Sequence, residues 1–233
     1  MACSFECIKH YIEDFYLSWR NVSAGKGVET MTVVLLICAV PPTGAPFVTI
    51  SADSRASGEG GIVLQDDAKK IFEAGSAYMS TSGSADDEYR EDLARILGEQ
   101  PLGTIEEKMN ALRVMLGEDK RDYNLQMNVG LVQFDGSGNP QMGLIGVNPE
   151  GQDALLGPYT YNKSNTVVEH VYFGAKRTPE VDKLREELKG RLTAEKINKA
   201  SVENAAKWFI RKVAKIYPET VNSVVQTKTM RFK

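Results

Sequence analysis

The stretch that most constrains the fold is TVVLLICAV at 32–40, one hydroxyl followed by eight apolar side chains without a charge. Its β-branched content favours a strand over a helix. A strand with one face in water alternates apolar and polar residues, and this one does not. Both of its faces must therefore be covered, so the chain has to supply a packed layer on each side of the sheet that contains it. With 233 residues, 42% of them hydrophobic, it has enough apolar material to do so.

The remaining elements indicate what those layers are. PPTG at 41–44 is a turn, and 46–53 returns as a second strand, which predicts a hairpin. Residues 69–74 and 77–81 read as short strands around Gly75-Ser76. Ser84, with Asp86, Asp87 and Glu88 behind it, predicts the start of a helix that runs to Leu97 and stops at Gly98. Thr104 and Glu107 form a capping-box pattern for a second helix, with Ile105, Met109, Leu112 and Leu116 on its apolar face and Gly117 at its end. Strands at 127–134 and 141–147 flank the turn sequence DGSGNP, and 166–173 is a further strand. Thr178-Pro179 opens a third helix that Gly190 ends. Ser201 caps a fourth, whose Ala205, Phe209 and Val213 face a core. Residues 221–232 close the chain as a strand.

Strands, helix pair, strands, helix pair, strand: this order lacks the β-α-β alternation of a doubly wound parallel sheet. The fold class it predicts is α+β, a four-layer αββα sandwich. Two antiparallel sheets pack face to face, and each is covered outside by a helix pair.

Charge and rare residues exclude several functions. The 28 basic and 31 acidic residues are interspersed, and no basic stripe carries aromatics, so neither nucleic acid nor an anionic membrane is an expected partner. Cys3, Cys7 and Cys38 have no metal-ligand spacing, and such a sparse, odd set fits a reducing cytoplasm. Two histidines, His10 and His170, are too few for a histidine-rich metal site and argue against a serine–histidine triad. Asp66-Asp67 and Asp86-Asp87 read as loop charge and helix-start charge, and no glycine-rich phosphate loop is present. No cofactor or metal is expected. No apolar run reaches the roughly 18 residues of a membrane span, and Glu6, Glu13 and Asp14 interrupt anything resembling a signal segment. Residues 1–31 read as a separate prefix, in which Phe5, Ile8, Ile12, Phe15 and Trp19 have helical spacing and NVSAGKGVET forms a linker to the domain at 32–233.

Three motifs carry the chemistry: SADSRAS at 51–57, DDAKKIFEAG at 66–75 and MSTSGSADD at 79–87. Together with Thr32 at the head of the first strand, they resemble the β-subunits of the proteasome, a family of N-terminal-nucleophile hydrolases with the αββα fold. The resemblance covers most of 32–87 and is mainly topological from residue 127 onward. It implies a threonine-type peptidase in which Thr32 Oγ attacks a peptide bond and forms an acyl-enzyme. A threonine hydroxyl needs a base, and the α-amine of a first-residue threonine, with a pKa near ~7.7–8.0, can serve. The resemblance further assigns Asp53 and Lys70 to an ion pair beside the nucleophile, Arg55 to bracing it, and a backbone N–H at Ser82-Gly83 to the oxyanion. Ala56, Ala68, Phe72 and Ser80 would line the first specificity pocket. The implied partners are a peptide or unfolded-protein substrate, identical copies in a ring and an ATPase unfoldase.

Two positions depart from the family's pattern. FGAKRT places Ala175 or Lys176 where active members carry a serine, and AKIYPETVNS lacks their aspartate, offering Tyr217, Glu219 and Ser223 nearby. Each motif also has an ordinary reading: a strand threonine, surface charges, a turn with a helix cap. Two other functions stay open, a catalytically inactive scaffold subunit and an amidase or acyl-transfer enzyme acting on small amides. Met31 precedes Thr32, so initiation at Met31 and ordinary methionine removal would expose a threonine amine. On that reading the prefix is dispensable in the active form.

Overall fold

The computed structural model describes residues 32–57, 62–83, 87–99, 103–122, 126–148, 154–173, 178–192 and 197–232. The expected prefix helix and linker, the Ser84 cap and residues 174–177 of FGAKRT lie outside these residues.

Eleven strands and four helices are described. Strands β1 (Val33–Val40), β2 (Phe47–Asp53), β10 (Thr166–Phe173) and β11 (Val225–Arg231) form one sheet in the order β10-β1-β2-β11. Strands β5 (Ile71–Ala74), β6 (Ala77–Gly83), β7 (Met127–Phe134), β8 (Pro140–Val147) and β9 (Ala154–Thr160) form the other, in that order. A small hairpin pairs β3 (Ala56–Ser57) with β4 (Val63–Gln65). Every pairing is antiparallel. The helices are α1 (Asp87–Glu99), α2 (Ile105–Asp122), α3 (Pro179–Arg191) and α4 (Lys199–Ile216).

The alternation of β1 accounts for the layering. Val33, Leu35, Ile37 and Ala39 pack with Leu188 of α3 and Val202, Phe209 and Val213 of α4. Val34, Leu36 and Cys38 point the other way, onto Val132, Met142 and Leu144 of the second sheet. The outer face of that sheet, through Met79, Val129, Leu131 and Ile145, takes Leu93 and Leu97 of α1 and Ile105, Met109, Leu112 and Leu116 of α2. This is the four-layer αββα sandwich. Each Leu or Ile that β1 buries contributes about 1.5–3 kcal/mol, and only Val40, at the strand's end, is partly exposed.

The local signals hold where they are self-contained. Thr104 N–H donates to Glu107 Oε2 at 2.9 Å and Glu107 N–H donates to Thr104 Oγ1 at 3.1 Å, the expected capping box. In the DGSGNP turn, the Asp135 carboxylate accepts the N–H groups of Ser137 at 2.9 Å and Asn139 at 2.8 Å.

Helix ends differ from expectation. Helix α1 passes through Gly98 to Glu99, because Gly98 is a packing glycine: a Cβ there would stand 2.9 Å from the backbone nitrogen of Gly75 in the β5–β6 turn. Helix α2 runs past Gly117 to Asp122 and α3 past Gly190 to Arg191. One unfavourable residue is outweighed where the helix face is buried. Ser201 is the N3 residue of α4; its cap is Asn198, whose side chain accepts the Ser201 N–H. Strand β9 was not expected from the sequence; it carries Gly157-Pro158, which is tolerated because β9 is an edge strand. The last strand begins at Val225 rather than 221, and residues 221–224 have a different task, described below.

Candidate active site

Thr32 immediately precedes β1 and is buried, as are Asp53 at the end of β2 and Lys70 just before β5. Lys70 Nζ lies 2.9 Å from Thr32 Oγ1 and donates to it. Asp53 Oδ1 accepts the N–H of Val33 at 2.9 Å, fixing the residue that follows the threonine, and Asp53 Oδ2 accepts the N–H of Arg55 at 3.0 Å. Thr32 and Asp53 come together because β1 and β2 are hairpin partners, with Val34 opposite Ala52, so that the start of one strand meets the end of the other, while Lys70 arrives from the segment before β5 of the other sheet.

Burial dominates the electrostatics. It pushes the Asp53 carboxyl up to about 6, against the pull of Lys70 and of backbone N–H groups at Val33, Arg55 and Asn222. It also takes the Lys70 ammonium down to about 8, against the pull of Asp53, with Arg90 pushing further down and Asp87 pulling back. Asp53 and Lys70 act on each other through their fields, while their named hydrogen bonds go to the backbone around the threonine and to its hydroxyl. An amine with a pKa near 8, in contact with a hydroxyl, can take up or return a proton at neutral pH.

Arg55 braces this corner. Its Nε donates to Asp66 Oδ1 at 2.6 Å and its Nη1 to the carbonyl of Pro218, which follows α4. Asn222 is a member of the site that sequence reasoning missed. Its Oδ1 accepts the N–H of Ser54 at 3.1 Å, and its Nδ2 donates to the Asp66 carbonyl at 2.7 Å. Gln226 is another: it accepts the Lys70 N–H at 3.0 Å and donates to the Ala68 carbonyl at 2.6 Å, clamping the segment that presents Lys70. Asn222 lies in the AKIYPETVNS stretch and Gln226 in the expected last strand, and neither carries a local motif that marks it.

The other candidates are placed as follows. Ala68 is buried, and its N–H donates to the Ser54 carbonyl at 2.8 Å, beside Asp53. Ala56 is half-buried in β3. Ser80 is buried in β6, and its carbonyl accepts the Tyr172 hydroxyl at 3.0 Å. Phe72 packs in the layer between the five-stranded sheet and helices α1 and α2. Ser82 Oγ accepts from Asn128 Nδ2 at 3.3 Å. Gly83 has φ +122°, and a Cβ there would lie 2.2 Å from the Gln126 carbonyl oxygen, so glycine is required on both counts. Of the polar residues after α4, Tyr217 donates from its hydroxyl to Thr178 Oγ1 at 3.2 Å, while Glu219 and Ser223 are exposed.

With the sheet order and this corner established, a likeness to a solved structure becomes informative. The chain folds like Thiobacillus denitrificans BPH. The structure of that protein in complex with epoxomicin matches with a TM-score of 0.53 and 16% identity, over 87% of this chain and 99% of that one. At that identity the likeness is one of fold, and it agrees with the sandwich described above. No family model and no curated protein matches the sequence. Among the described residues, no helix is long and apolar enough to cross a membrane.

Proposed function

We propose that this chain is a threonine-type peptidase whose nucleophile is Thr32 once that residue is the first of the chain. The observation that carries this reading is the buried contact of 2.9 Å between Lys70 Nζ and Thr32 Oγ1, with Asp53 holding the next backbone N–H. With the prefix attached, the Thr32 nitrogen is an amide and has no basic lone pair. Exposing it supplies an α-amine that takes the hydroxyl proton. Oγ then adds to the substrate carbonyl, and the oxyanion is received by backbone N–H at Ser82-Gly83. Collapse breaks the C–N bond, the leaving amine departs with the proton, and an ester of Thr32 remains. Water hydrolyses that ester and restores the hydroxyl.

The same reading takes a peptide or unfolded protein as substrate, a ring of identical copies as the working form, an ATPase unfoldase as supplier and the cytoplasm as the setting. Liberation of Thr32 by initiation at Met31 and methionine removal belongs to it as well. The test is to express the chain from Met31, verify by mass that Thr32 is first, and add epoxomicin. One adduct per chain is expected, with none on Thr32→Ala. A chain that begins at Thr32 and forms no adduct overturns the proposal, and an inactive scaffold is then the better description.

A further inference from the structure

Arg90 sits in the first turn of α1, at the helix's positive end, and is only 5% exposed. Both circumstances disfavour a cation: the helix dipole repels it, and burial strips its hydration. Two bonds offset the cost. Nη1 donates to Asp87 Oδ1 at 2.9 Å, and Nη2 donates to the carbonyl of Gly83 at 3.0 Å. One guanidinium thus ties the last residue of β6 to the first residue of α1, and the residue of β6 that it holds is the glycine with φ +122°.

We propose that Arg90 is a positioning residue: it clasps Gly83 to Asp87 and so fixes the end of β6 beside the Thr32–Lys70 pair. This rests on the threonine-nucleophile reading for its functional meaning. The geometry suits arginine specifically, since a planar fork can serve a carbonyl and a carboxylate at once, whereas a lysine ammonium on a flexible stem is a single point charge. Both charges of the clasp also act on Lys70, after burial and Asp53. The groups that act on that ammonium are Asp53 from β2, Asp87 and Arg90 from α1, and the Thr32 hydroxyl that it touches. Arg90 disfavours its protonated form and Asp87 favours it. A clasp of two opposite charges therefore holds the strand end while leaving Lys70 able to exchange its proton near neutral pH.

The test titrates Lys70 by the carbon NMR signal of its labelled side chain in the full chain, assigned by its loss in Lys70→Met. Arg90→Met is expected to move the Lys70 titration to higher pH, and Asp87→Asn to move it to lower pH. Arg90→Lys keeps the charge and loses the fork, so it is expected to leave the titration near its original position. Misplacement of the strand end should nevertheless slow epoxomicin capture by chains beginning at Thr32 on the order of 10- to 100-fold. Should Arg90→Met not fold, Asp87→Asn carries the titration arm, because Asp87 is half-exposed. A Lys70 titration unmoved by the charge-removing variants overturns the proposal, as does capture by Arg90→Lys at the original rate. If the original chain captures no epoxomicin, the nucleophile reading fails by itself, and the Lys70 titration still decides whether the clasp acts on this site.

Discussion

Lys70 Nζ donates to Thr32 Oγ1 at 2.9 Å from a side chain that is 2% exposed. An ammonium that deep costs several kcal/mol of lost hydration unless it is fully paired. Here the compensation is partial, since burial outweighs the attraction of Asp53 and brings the group to about 8. A purely structural position would be better filled by methionine, so the cost is informative about purpose.

Replacing Lys70 with methionine therefore separates stability from reactivity. The Lys70→Met chain is expected to be as stable as the original or more so. Its reaction with epoxomicin, in chains that begin at Thr32, should fall by roughly 10²–10⁴-fold, the range for losing a positioned acid–base group. Urea denaturation and adduct mass over time measure the two effects. Unchanged capture would remove Lys70 from the mechanism.

Asp53 and Lys70 should contribute to stability with opposite slopes in two pH windows. Asp53 is raised from 3.8 to about 6, so the folded chain binds this proton more tightly, and its contribution falls as pH rises through that interval. Lys70 is lowered from 10.5 to about 8, so the unfolded chain holds this proton more tightly, and its contribution rises with pH from 8 upward. His170, lowered to about 4 by burial, opposes Asp53 in the acid window, and the half-buried Tyr161 and buried Tyr172, both raised by lost hydration, oppose Lys70 above pH 10. Differences between variants isolate each slope. Asp53→Asn should gain stability on the original chain between pH 4 and 6, and Lys70→Met should lose its advantage between pH 8 and 10. Denaturation midpoints over the pH range are the measurement.

Asn222 joins the chain after α4 to Ser54 and Asp66, on either side of Arg55. Asn222→Ala leaves the buried Ser54 N–H without this acceptor and is expected to cost about 1–3 kcal/mol. It should also slow capture at Thr32, since Ser54 follows Asp53 directly. The neighbouring Ser223→Ala, at an exposed position, should do neither. Equal effects from the two substitutions would show that Asn222 has no special part in holding the site.

What could be read in the sequence was chemistry local to a few residues. The uniform apolarity of β1 required two covered faces, and the structure covers them with α3 and α4 on one side and the second sheet on the other. The order Thr32, Asp53, Lys70 was visible as motifs; hairpin pairing joins the first two, and Lys70 reaches them from the facing sheet. The unread features depend on partners distant in sequence. Asn222 looked like part of a strand because its partner, Ser54, is 168 residues away. Strand β9, with Gly157-Pro158 inside it, went unread because only the sheet order makes it an edge, where proline is tolerated. Gly98 looked like a helix stop because its contact, Gly75, belongs to another element.

That last case gives a test with a control of the same residue type. By helix propensity alone, Gly→Ala inside a helix stabilises by about 1 kcal/mol. At Gly117 nothing lies within 4 Å of an added Cβ, so Gly117→Ala should show that gain in full. At Gly98 the Cβ would meet the Gly75 nitrogen at 2.9 Å, and backbone cannot swing aside as a flexible side chain can. Helix α1 would have to lift from the β5–β6 turn, loosening Leu93 and Leu97 in the layer beneath it. Gly98→Ala is therefore expected to be net destabilising, by about 1–3 kcal/mol, despite the better helix former. Thermal unfolding of both variants beside the original chain decides the matter: opposite signs are required, and a stabilised Gly98→Ala would return this glycine to the role of a simple helix breaker.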